Sequence, residues 1–112
     1  MVIRGKKILE KLIAKNRGNR RLAEAVDQLI IDLERNSTHS IQELLEIRKD
    51  ADRVHRGYYF FDICVHRALI FIQFVDNKAT IVWAGTHEEY VKTFKNNINT
   101  IEKWLRARDL LD

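Results

Sequence analysis

The stretch Ala68-Leu69-Ile70-Phe71-Ile72-Gln73-Phe74-Val75 limits the possible folds more than any other part of the chain. It is rich in β-branched and aromatic residues, and its apolar side chains fall on both alternating faces. Such a segment needs cover above and below, so it reads as a central strand of a sheet packed on both sides. Asp76-Asn77-Lys78 supplies a turn, and Thr80 to Ala84 returns as the hairpin partner. Upstream, Tyr58-Tyr59-Phe60-Phe61 reads as a further strand.

Helical patterns flank this block. Ile8, Leu12 and Ile13 follow helical spacing, and Asn16-Arg17-Gly18-Asn19 ends that helix with Gly18 as its C-cap. Leu22, Val26, Leu29 and Leu33 recur at i, i+4, i+7 and i+11, with Ile30 alongside, and make a second, amphipathic helix. Ser40 with Glu43 forms a capping box before a short helix that buries Ile41, Leu44 and Leu45. After Gly85, Thr86 with Glu89 repeats that spacing, and Asn99 with Glu102 does so again before a stripe of Ile101, Trp104 and Leu105. Helices, an antiparallel sheet and C-terminal helices make an α+β domain. At 112 residues, with no proline and no repeat, residues 1–112 read as one domain.

Composition narrows the setting. The apolar fraction of 46% and charged fraction of 32% suit a globular chain rather than a disordered one. Glu10, Lys11 and Lys15 interrupt the N-terminal apolar residues, so neither a membrane span nor a signal peptide is expected. One cysteine, Cys64, allows no internal disulfide, and a reducing cytoplasm is the expected location. The net charge of +4 is unevenly spread: residues 1–21 carry +7, residues 22–50 carry −4 and the remainder +1. A basic first helix beside an acidic second one suits a polyanion or an acidic protein partner, and equally a solvated face.

No metal-ligand spacing links His39, His55, His66 and His87, and neither a phosphate-binding glycine loop nor a nucleophile elbow is present. No metal and no cofactor is expected. What remains is a basic and aromatic set around the sheet: Arg53, His55, Arg56, Tyr58, Tyr59, His66, Arg67, His87, Tyr90 and Lys92. Metal-independent RNA cleavage needs a base for the 2′-hydroxyl, an acid for the leaving oxygen and fixed cations for the phosphorane. These residue types supply all three, and they serve passive RNA binding as well. Each also has a plainer reading. His87 fits a solvent-facing helix start, Tyr90 a packing ring, and His66-Arg67 a hairpin turn. Cys64 fits a small buried hydrophobe, and Trp83, Phe60, Phe61, Phe71 and Phe74 fit the core.

Ala51-Asp52-Arg53-Val54, Phe61-Asp62-Ile63 and Gly85-Thr86-His87-Glu88-Glu89-Tyr90 closely resemble the HigB-type toxins of bacterial toxin–antitoxin operons, over roughly residues 20–101. That family carries A-D-x-V, F-N-I, N-K-[YF]-R-L and G-T-H-x-E-Y-D elements at similar spacings. The resemblance implies a RelE-like domain whose N-terminal helices pack on one face of a small sheet while the other face cradles RNA. It implies a cytoplasmic, metal-independent endoribonuclease that cuts mRNA on the ribosome and is neutralised by a cognate helix-turn-helix antitoxin. On this reading His87 transfers a proton or contacts phosphate, Tyr90 stacks or donates its hydroxyl, and His66 is a second acid or base. Arg67 adds charge at the catalytic position, and Arg53, Arg56 and Lys92 bind RNA.

The chain departs from the family pattern in named places. Cys64-Val65 replaces Gly-Gly, His66 stands for Asn, and Arg67 stands for Lys with its charge kept. Leu69 and Val82 stand where the family has arginines, and Val91 where it has Asp. The alternative is therefore a catalytically weak or inactive RNA- or ribosome-binding relative, kept for antitoxin or protein binding. A more remote third reading is a structural partner with protein contacts only.

Overall fold

The computed structural model describes residues 1–111. The elements run β1 (Val2–Arg4), α1 (Lys6–Lys15), α2 (Arg20–Arg35), α3 (Ile41–Ile47), β2 (Asp52–His55), β3 (Tyr58–Ile63), β4 (His66–Gln73), β5 (Lys78–Thr86), α4 (His87–Phe94) and α5 (Ile98–Ala107). They form an α+β fold around a five-stranded sheet in the order β1-β5-β4-β3-β2. β4 is the central strand, as its two apolar faces require. The sheet is mixed rather than wholly antiparallel, because β1 adds to β5 in parallel. Val2–Arg4 is too short to show a period, and β2 is a polar edge strand, so neither stood out in the sequence.

Strand alternation sorts the core into two layers. Tyr59, Phe61, Ile63, Ala68, Ile70, Ile72, Ala79 and Ile81 pack with Leu9, Leu12, Leu22, Val26, Leu29, Leu33 and Leu44 from α1 to α3. On the other face, Tyr58, Phe60 and Leu69 pack under Tyr90 and Phe94 of α4 and Ile101 and Leu105 of α5. The second face is thus roofed by the C-terminal helices over its middle and is not an open cradle. Leu69 is fully buried and Val82 packs against the same cluster, so the two positions that carry arginine in the resembling family hold roof-facing hydrophobes here.

Several local readings change. α1 is capped at Asn16 rather than Gly18, and Ile41 and Leu45 of α3 are exposed rather than buried. β4 ends at Gln73, with Val75 exposed in the turn and Lys78 already in β5. His66 and Arg67 open β4 rather than forming a turn; the turn is Cys64-Val65, since Ile63 pairs directly with His66. Cys64 takes φ 64° in that turn and is exposed, not buried. α5 is capped by Asn97, whose side chain accepts from the amides of Asn99 and Thr100, so Asn99 and Glu102 form no capping box.

Candidate active site at the strand–helix junction

The junction at residues 85–90 is built from two backbone devices. Gly85 pairs with Arg67 near the end of β5, and Thr86, its last residue, caps α4. The Thr86 hydroxyl accepts from the Glu89 amide at 3.1 Å, and the Glu89 carboxylate accepts from the Thr86 amide at 2.9 Å. This reciprocal box holds His87 as the first residue of the helix, exposed, with Tyr90 on the face below it. The amide hydrogen bond from Thr86 holds the Glu89 carboxyl below its ordinary pKa. A depressed carboxyl stabilises the fold above its unfolded pKa, and that contribution is lost as pH falls through the folded value. Glu89→Gln is therefore expected to flatten the acid limb of a stability–pH curve measured by urea unfolding. Thr86→Ala is expected to cost about 1 kcal/mol at any pH above that limb.

Tyr90 links two of the candidate side chains, His87 and Arg67, that the fold brings together. Its ring is stacked with His87 at 5.9 Å and 29°, and the Arg67 guanidinium lies 4.7 Å from its centroid. Below, Phe60 meets it edge-on at 4.9 Å, and Arg67 also lies 4.9 Å from the Phe60 ring. The Tyr90 hydroxyl bonds Asn96 Oδ1 at 3.1 Å, and the residue is buried. Its ring is presented as a platform while its hydroxyl is engaged in the α4–α5 loop.

Arg67 is not a bare cation. Its Nε donates to Asp62 at 3.2 Å and its Nη2 lies 3.4 Å from Asp52. Both carboxylates are more than half exposed. Sequence reading quoted Asp52 and Asp62 without assigning them a role. The signal was present in the pairing register, because a two-residue turn at Cys64-Val65 sets Asp62 directly opposite Arg67.

The remaining sequence-derived candidates lie elsewhere. His66 falls on the face of Ala68 and Ile70, opposite to Arg67, and is 4% exposed with neither ring nitrogen bonded. Arg53 pairs with Tyr59 and lies on that same N-terminal-helix face. Burial raises the Tyr59 phenol above its ordinary pKa, with the Arg53 charge opposing it. Lys92 is exposed near the end of α4, about 200° around the helix from Tyr90. Arg56 sits in the β2–β3 turn, about 13 Å along the strands from Arg67. Only His87, Tyr90 and Arg67 form one cluster. Among the described residues, no group of three or more His, Cys, Asp and Glu side chains could hold a metal ion.

A family model for HigB_toxin, the RelE-like toxic component of a toxin–antitoxin system, matches residues 22–93. A search of curated proteins finds no match. The matched segment runs from α2 through α4 and contains the whole His87–Tyr90–Arg67 cluster. It leaves out α1 and α5.

Proposed function

Because the match covers more than half of its length, the chain belongs to the HigB family of RelE-like toxins, and on that premise we propose that it is an mRNA endonuclease acting on the translating ribosome. The observation that supports this most is the contact chain from His87 through the Tyr90 ring to Arg67, at 5.9 Å and 4.7 Å. In the reaction, a 2′-hydroxyl loses its proton and attacks the neighbouring phosphorus. The bond to the 5′-oxygen then breaks, and that oxygen takes up a proton. His87, exposed and held by the Thr86–Glu89 cap, performs one of the two proton transfers. Arg67 offsets charge on the phosphorane, and Tyr90 fixes both groups. With His66 buried on the opposite face, solvent water at the exposed junction carries the other proton. A cognate antitoxin, proposed to be of the helix-turn-helix type, neutralises the toxin.

Purified protein in a cell-free translation extract tests the reading. Template mRNA is expected to be cut during translation and left intact when ribosomes are omitted. Tyr90→Phe keeps the platform and is expected to retain cutting to within about tenfold, or ~1.4 kcal/mol, whereas Tyr90→Ala is expected to remove it. Loss on Tyr90→Phe would instead identify the hydroxyl as a participant.

One observation favours the second reading, a ribosome- or RNA-binding relative without appreciable cleavage. Two carboxylates hold Arg67, and Leu69 and Val82 place no further charge beside it. That reading is distinguished by ribosome binding with intact transcripts.

A further inference from the structure

A groove lies outside the His87 cluster, at the opposite end of the same sheet face. Its volume is about 770 Å³, and it opens to solvent. One wall is the β2–β3 turn with His55 and Arg56, the floor is Tyr58 and Phe71, and the other wall is Arg106 with Leu110 and Leu111. Tyr58 and Phe71 are stacked at 4.6 Å and 24°, and the Tyr58 hydroxyl donates to the Leu110 carbonyl at 2.6 Å. That bond fixes the segment after α5 as a wall. Gly57 keeps the floor clear, since a Cβ there would sit 2.6 Å from the Phe71 ring. Arg56 is exposed and takes part in no ion pair among the described residues. Arg106 pairs with Glu102 at 2.8 Å, a surface pair that a phosphate readily displaces.

We propose that this groove binds single-stranded RNA, with a base stacked on Phe71 and the adjoining phosphate held by Arg56 and Arg106. A partly exposed ring, Phe71, between two guanidinium groups is an arrangement that single-stranded nucleic acid recognition uses: the ring takes any base, and the cations take the backbone. The wall carrying Arg106, Leu110 and Leu111 lies beyond residue 93, outside the family-matched segment. It restores, at the far end of the face, positive charge of the kind missing at Leu69 and Val82. The inference rests on RNA being the ligand of this face, not on cleavage taking place.

The test is fluorescence anisotropy with labelled 2′-O-methyl hexauridylate, which has no free 2′-hydroxyl to attack, and with uridine monophosphate as competitor, on the full chain and its variants. Arg56→Gln, on an exposed turn, is expected to weaken hexamer binding several-fold and to reduce the salt slope by about 0.7. Phe71→Leu is expected to weaken it about five- to hundredfold, with circular dichroism as the check that the fold is kept. Hexamer binding by a wild-type chain that cuts no mRNA in the translating extract separates this inference from the nuclease reading. Unchanged affinity and salt slope in Arg56→Gln would overturn the proposal. So would monophosphate binding as tight as the hexamer, which would identify a free nucleotide as the occupant.

Discussion

Phe60→Ala is expected to lower the unfolding free energy by about 3–5 kcal/mol, the usual cost of emptying a fully buried phenylalanine site. Phe60 has no exposed surface and contacts Trp83 at 6.3 Å, Tyr90 at 4.9 Å and Phe94 at 5.3 Å, all with rings at steep angles. These rings come from β3, β5 and α4, so no single neighbour can move in without disturbing the others. Domains of this size are stable by about 5–15 kcal/mol, and the variant is left marginal. The effect also reaches the site, because Phe60 supports both the Tyr90 ring and the Arg67 guanidinium. Equilibrium urea unfolding measures it. A loss under about 1 kcal/mol would mean that the C-terminal roof collapses onto the sheet without Phe60.

Arg67→Gln is expected to reduce cleavage by about 10²–10³-fold, the loss seen when one preorganised charge-stabilising donor is removed. Its cost to the fold is on the order of 1 kcal/mol, since Asp52 and Asp62 are 53% and 59% exposed and are rehydrated when the arginine goes, while its contacts over the Phe60 and Tyr90 rings are lost. Asp62→Asn is expected to act in the opposite direction. Removing one of the two carboxylates that hold Arg67 frees part of its charge for phosphate and is worth about 1 kcal/mol, or roughly fivefold in rate. Rates of transcript loss in a translating extract, with purified variants at equal concentration, read both changes. If Arg67→Gln cleaves as well as the wild type, Arg67 serves only to tie β3 to β4 and takes no part in the site.

The extent to which the sequence showed these features follows from the range of the interactions involved. The central strand, the amphipathic α2 and the Thr86–Glu89 box are local patterns, with periods and spacings of a few residues, and each forms as expected. Those short-range signals also placed His87 and Tyr90 together. What was not legible depends on partners distant in the chain. β1 exists because Lys78–Thr80 offers it an edge, and nothing within Val2–Arg4 announces that. The sorting of His66 and Arg67 onto opposite faces follows from strand alternation once the turn is fixed at Cys64-Val65. A turn placed at His66-Arg67 hides it. The roof over the second face, and with it the groove beside Phe71, comes from the packing of α5, which the amphipathic stripe of Ile101 and Leu105 implied without saying which face it would cover.

On the proposed function, the strand–helix junction is the catalytic centre of a ribosome-dependent nuclease. The most direct measurement induces the chain alone in a bacterial host, maps new transcript 5′ ends, and repeats this with His87→Ala, whose exposed position keeps the fold intact. The account predicts growth arrest with in-frame cuts inside coding sequences, and loss of both in the variant. In-frame cuts that persist unchanged in His87→Ala would contradict it, as would arrest of translation with every transcript intact.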